Sequence, residues 1–211
     1  MSMVWPCPLT VDAYALLGRA VKVPRPVCPS CLSPVVFWSG YWRYVRWRGR
    51  CRKIFVPRVR CRGCGVTHAL LPAFVLAWRL DAAESAGAVI GRVAGGGCGV
   101  RPAAAAAGVP YTTARGWVRR FSARAGDLAV SFSALAVELG GEVVRPQPDR
   151  CRLAAAAIGA AFAAAAGLPG WAVLGRWRFA GAVTGGSLIA ANAASPFLVI
   201  GSRRFMPPRS P

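Results

Sequence analysis

The sequence predicts a mostly α-helical protein that carries one small β module near its N-terminus. Three features lead there: two matched Cys-x-x-Cys pairs around a strand-like, arginine-rich stretch, a change near Leu80 from alternating to helical apolar spacing, and a second half dominated by alanine. A chain of 211 residues can hold one medium domain or two small ones. The shifts in pattern favour separate units, with an N-terminal module over 1–78, a helical unit over 79–140 and an alanine-rich helical region with a basic tail over 149–211.

The β module comes first. Cys28-Pro-Ser-Cys31 and Cys61-Arg-Gly-Cys64 are separated by 29 residues. A two-residue gap lets both thiolates of a pair reach one ion from a tight turn, and four thiolates at tetrahedral corners suit Zn2+. Between the pairs, Val35 to Trp38, Tyr41 to Trp47 and Ile54 to Val59 read as two or three short strands, broken near Ser39-Gly40 and at Gly49. Metal and strands together make a zinc ribbon with Cys28, Cys31, Cys61 and Cys64 as ligands. So small a module has little apolar surface to bury, so the metal is expected to supply roughly 10 kcal/mol or more of its folding free energy. Cys7, Cys51, Cys98 and Cys151 lack a partner at ligand spacing and are expected to be small buried hydrophobes.

Charge gives the module a partner. The net charge is +20, from 25 arginines, two lysines and seven acids. A GC-rich genome accounts for arginine over lysine, but not for the shortage of acids, whose codons are equally accessible. From Ala13 to Leu80 there are 13 basic residues and no acid beyond Asp12, and nine of the thirteen lie between Arg43 and Arg62. A phosphate backbone is the natural partner of such a field, and Arg43, Arg46, Arg48, Arg50 and Arg52 are the candidate contacts. Nothing here separates DNA from RNA phosphates. The interleaved Trp38, Tyr41, Trp42, Tyr44, Trp47 and Phe55 could stack on bases or form the module's core, and strand alternation assigns about half of them to core. His68 could replace a thiolate, but with four cysteines at hand it is expected to pack or to touch DNA. The N-terminus lacks the pattern of a secretory signal, so the thiols are expected in a reducing cytoplasm, free to bind metal.

Next come the helices. Asp81-Ala-Ala-Glu84 has the spacing of a capping box and should open a helix running to about Ala94, stopped by Gly95-Gly-Gly97. Val100 to Phe121 then has the signature of a helix-turn-helix: Pro102 in a first turn, small Ala104 at a close crossing, Gly108 at the left-handed turn, and Val109 plugging the angle. The second helix, about Tyr111 to Arg124, turns Ala114, Trp117, Val118 and Phe121 inward at i, i+3, i+4 and i+7. That fixes the outward set. Thr112, Gly116 and Arg119 point away from the core with Arg115 and Arg120 on the flanks, the face that such a motif lays in the major groove. Arg115 and Arg119 are the candidates for guanine edges, Thr112 and Thr113 for bases or phosphates, and Arg120 and Arg124 for the backbone; Gly116 would allow close approach.

The remainder is apolar. Leu128, Phe132, Leu135 and Leu139 form one stripe, suited to core or to a homodimer seam. Arg145-Pro-Gln-Pro148 makes a linker, and Arg152–Leu168 and Trp171–Ala191 read as two helices before a loose basic tail from Gly201. Leu153–Gly175 and Ala180–Ser202 are uncharged and long enough to span a bilayer, but their alanine, glycine and proline content favours packed helices over membrane.

The cysteine module, followed by His68-Ala-Leu-Leu-Pro72 and by Thr113-Ala-Arg-Gly-Trp117-Val-Arg-Arg-Phe121, resembles an uncharacterised family of helix-turn-helix proteins from high-GC bacteria. The likeness extends through Gly175-Arg-Trp-Arg-Phe179 to Arg204-Phe-Met-Pro-Pro208. Cys28 to Arg124 also looks like the DNA-binding end of insertion-sequence transposases. Those enzymes add a nuclease domain with three acids on two metals, whereas the later acids here, Asp127, Glu138, Glu142 and Asp149, fall within one helix and its linker. The expectation is therefore a zinc-dependent, non-catalytic, sequence-specific binder of double-stranded DNA, either tied to a mobile element through a transposase or recombinase subunit or acting as a transcription regulator. The alternative is the DNA-binding portion of a transposase whose catalytic domain is absent or on another chain.

Overall fold

The β module is larger than the cysteine spacing implies. In the computed structural model, which describes residues 2–190, the chain forms seven α-helices and one four-stranded sheet, a mixed α/β arrangement. Strands β2 (Val35–Trp47) and β3 (Arg50–Cys61) make one long antiparallel hairpin instead of three short strands. Arg48 and Gly49 close it, both left-handed at φ 47° and 72°, the backbone that a two-residue hairpin turn needs. The expected break at Ser39-Gly40 is a register shift between Phe37 and Ser39. Gly40 does not stop the strand because the Phe55 ring lies against its bare face, where a Cβ would come within 2.1 Å.

Two strands escaped the sequence reading. Strand β4 (Thr67–Pro72) pairs antiparallel with β3, and β1 (Ser2–Trp5) pairs parallel with β4, giving the order β1-β4-β3-β2. Four residues are too few for a periodic signal, and β1 finds its partner more than 60 residues away. Helix α1 (Val11–Leu17) starts where the Thr10 hydroxyl accepts from Ala13 N–H. It is pinned to the sheet by Tyr14, which is buried edge-on against Phe74 and donates its hydroxyl to the Phe55 carbonyl at 3.1 Å.

Helix α2 (Ala83–Ala94) begins without the expected capping box. Ala82 flanks it, while Asp81 pairs with Arg46 at 2.6 Å and Glu84 pairs with Arg178. The Arg46 backbone bonds to Leu80 O and Ala82 N–H, so this connection covers the outer edge of β2 at that point. Helices α3 (Val100–Ala106) and α4 (Tyr111–Ala123) follow, and α2, α3 and α4 all pack on one another. Gly108 turns the chain at φ 62°, its N–H reaching Ala105 O while Val109 N–H reaches Ala104 O.

Helix α5 (Ala125–Glu138) packs along α6 (Arg150–Ala165), which Asp149 caps through Cys151 and Arg152 N–H. Leu128, Phe132 and Leu135 are buried there, so the stripe serves the internal core. The second alanine-rich helix is shorter than expected: a 3-10 turn at Ala172–Leu174 precedes α7 (Arg176–Val183), which ends at Gly185 and Gly186, both left-handed. Phe179 of α7 meets Phe132, Phe162 and Trp171. Buried residues from Met3 to Ile189 join in one cluster. No described helix is long and apolar enough to cross a membrane. The basic tail and the end of the second uncharged segment lie outside the described residues.

Candidate metal centre and basic face

The two cysteine turns are built alike. Cys28 N–H bonds Ser33 O and Cys61 N–H bonds Val66 O, both at 2.9 Å, and the residue after each pair, Leu32 at φ 62° and Gly65 at φ 73°, is left-handed. Cys61 Sγ accepts from Gly63 and Cys64 N–H at 3.3 and 3.4 Å. Arg62 N–H to Pro34 O ties one turn to the other, and Gly63 is bare where Ser33 Oγ would stand 2.4 Å from a Cβ.

The four sulfurs of Cys28, Cys31, Cys61 and Cys64 lie within 4.8 Å of one another, with 3.3 Å between Cys31 and Cys61 and 3.6 Å between Cys28 and Cys64. Thiolates at about 2.3 Å from one ion stand about 3.8 Å apart. The cluster therefore fits a four-coordinate metal of the kind that soft sulfur ligands take. Its protons are shared unevenly: the Ser33 hydroxyl and backbone pull Cys31 down to about 6. Cys64 is pushed up to about 12, its Val66 backbone bond outweighed by desolvation and the other sulfurs. His68 is fully buried on β4 with Nε2 3.5 Å from Cys28 Sγ, which removes it from any contact with DNA. It stands beside the sulfur set and outside it. Of the other cysteines, Cys7 is buried as expected, but Cys51 is exposed and Cys98 and Cys151 are half-buried. Cys51 stands near the hairpin tip, beyond the reach of the core.

The hairpin arginines divide into two groups. Arg46 is held by Asp81, Arg52 by Asp12, and Arg43 donates to Arg79 O, its guanidinium pushed below its ordinary pKa by burial. Arg48, over the Trp47 ring, and Arg50 remain at the exposed tip. Arg60 lies over Trp38, Lys53 over Trp42 and Arg19 over Phe55. Trp38, Tyr41, Trp42 and Tyr44 are nonetheless 39–59% exposed, more than an assignment of half of them to the core allows.

On α4, Ala114, Trp117 and Phe121 are buried, while Thr112, Arg115 and Arg119 are exposed and Thr113 is half-buried. Arg120 folds back over Gly116, its Nη2 3.1 Å from where a Cβ would be. Gly116 is thus covered by a guanidinium and is not the open point expected. Burial lowers the Arg120 pKa, as do Arg79 and Arg119 nearby. Arg124 donates to Ser187 O and Ala190 O, an internal role in place of the expected backbone contact. Sequence reasoning did not single out Trp78 or Arg79, which line a groove with Tyr41, Arg43 and Tyr44.

No known protein family, curated protein or solved structure matches this chain.

Proposed function

We propose that this protein is a zinc-dependent, non-catalytic DNA-binding protein in which α3 and α4 act as a helix-turn-helix. The observation that carries this reading is the division of α4, which buries Ala114, Trp117 and Phe121 and leaves Thr112, Arg115 and Arg119 exposed on a face without a carboxylate among the described residues. A helix so divided offers the donors that recognise guanine edges in a major groove. Zn2+ on the four cysteines would hold together the root of the hairpin, whose tip arginines Arg48 and Arg50 suit the phosphate backbone. Three of the seven acids, Asp12, Asp81 and Glu84, are engaged with arginines, and Asp149 caps a helix, which leaves little carboxylate for phosphoryl transfer.

Selection of bound sequences from a random duplex pool, with zinc measured on the same sample, tests this. One preferred duplex is expected, with affinity falling steeply in salt. Arg119→Ala should relax sequence preference, while Arg48→Ala and Arg50→Ala weaken all duplexes alike. Absence of any preferred sequence, or a flat salt response, overturns the reading.

A further inference from the structure

Between the outer edge of β2 and the segment that follows β4 lies an open groove of about 370 Å³, lined by Tyr41, Arg43, Tyr44, Trp78 and Arg79 over a floor that includes Leu71. Three of these are aromatic and two are cationic, and no carboxylate lines it among the described residues.

Trp78 is the unusual member. Its backbone is left-handed at φ 56°, a conformation costly for a bulky side chain, and its indole is 81% exposed. Burial cannot explain an aromatic ring held in this way. Tyr44, 56% exposed, and Tyr41, 39% exposed, line the same groove, so aromatic side chains border a space open to solvent. The aromatic row continues along the same strand through Trp42 and Trp38, each with a cation over its ring.

The charges point to an anion beside the rings. Arg79 donates from Nη2 to Ile189 O at 3.3 Å, while its Nε is buried without a partner among the described residues. It also lies close enough to Arg120 that its charge, with that of Arg119, adds to burial in lowering the Arg120 pKa. Guanidiniums gathered without a carboxylate, next to aromatic faces, match a ligand that alternates flat rings with phosphates. A duplex hides its ring faces in the base stack; a single strand presents them.

We propose that this groove binds single-stranded DNA, with an unpaired base stacked on Trp78 and Tyr44 and the adjoining phosphate on Arg79. The groove is lined by β2, the end of β4 and the segment that follows it, none of them part of α4.

The test is fluorescence anisotropy of a short labelled oligothymidine, of the same sequence as RNA, and of a duplex, each titrated with the full chain. Trp78→Ala should weaken oligothymidine binding by at least about fivefold, the loss expected for one stacked base, and Trp78→Phe should retain most of it. Tyr44→Ala should act in the same direction. Because both rings are exposed, thermal stability and metal content should be those of the parent, which separates a lost stack from a lost fold. Unchanged affinity in both aromatic variants, equal losses on duplex and single strand, or a preference for RNA each overturns the proposal. Failure of the duplex to show sequence preference would count against the reading of α4 alone.

Discussion

His68 Nε2 lies 3.5 Å from Cys28 Sγ, bringing a fully buried imidazole on β4 against the sulfur cluster. Burial lowers the ring's pKa and so favours its neutral form. A neutral ring with its proton on Nε2 donates to the thiolate and helps fix that sulfur's direction. Outer partners of this kind typically contribute 10- to 100-fold to metal affinity. His68→Ala should therefore lower affinity by about tenfold or more in competition with a chelator, and His68→Gln should recover part of it. Equal affinity in all three proteins would show that the ring only packs.

Metal removal should melt part of the molecule and leave the rest. Residues 28–34 and 61–66 form the two cysteine turns, and of their side chains only Cys28, Pro29 and Cys61 are buried. Ile54 and Val56, farther up the hairpin, belong to the common core with Val4, Tyr14 and Phe74. A chelator, or Cys64→Ser, should raise amide exchange in the two turns and the adjoining ends of β2 and β3. The near-ultraviolet signal of buried Trp117 and Trp177 should persist. Cooperative loss of the whole fold would mean that the core cannot stand without the cysteine turns.

What the sequence revealed and what it hid differ in range. The Cys-x-x-Cys spacing is local, and so is the 3.6-residue period that buries Ala114, Trp117 and Phe121, and both were legible. Asp81 was not: its spacing to Glu84 suggested a cap, but an arginine 35 residues earlier offers the carboxylate a full charge partner. The same holds for Glu84, taken by Arg178 from 94 residues away. Trp78 was invisible for another reason. A lone tryptophan in an apolar run reads as core, and only the left-handed backbone turns it outward.

The Cys7 thiol makes stability fall in alkali. Burial pushes it up to about 12 from an ordinary 9.0, against the opposing pull of the Leu9 backbone and Arg178. The unfolded chain gives up that proton near 9 while the folded chain keeps it. The stability it contributes is thus complete below about 9 and is lost as pH rises toward about 12. The urea midpoint should drop over that window more steeply in the parent than in Cys7→Ala. Tyr14 is raised chiefly by burial and further by the charge of Cys7, so Cys7→Ala also removes that second push and flattens the slope in the same direction. Parallel slopes would remove Cys7 from the account.

Arg178 joins three parts of the chain. Its Nε pairs with Glu84 of α2, its Nη1 donates to Leu9 O at 2.7 Å, and its guanidinium lies over Phe74. Arg178→Met keeps the stem but leaves the half-buried carboxylate and the carbonyl without a partner. The expected loss is about 3 kcal/mol in urea unfolding, and Glu84→Gln in the same background should restore a part. Additive effects of the two changes would mean that the pair is not coupled.

Gly87 and Gly91 lie one turn apart on α2, and alanine should have opposite consequences at the two positions. Trp177 sits on Gly87 so closely that a Cβ would come within 2.1 Å of Cγ, in the rigid middle of a buried indole. At Gly91 the nearest atom is Nη2 of Arg176 at 3.1 Å, the end of a flexible side chain, with the indole edge at 3.3 Å. Gly87→Ala must displace Trp177 from between α2 and α4, where it meets Phe121 edge-on at 6.3 Å, and should cost about 1–3 kcal/mol. Gly91→Ala needs shifts of only a few tenths of an ångström from the guanidinium and the indole edge and gains the helix preference of alanine over glycine, about 1 kcal/mol before those shifts are counted. Thermal unfolding of the two variants should therefore bracket the parent, with Gly87→Ala below it and Gly91→Ala level or above. Equal destabilisation at both sites would mean that α2 and α7 approach more tightly at Gly91 than the Trp177 packing allows.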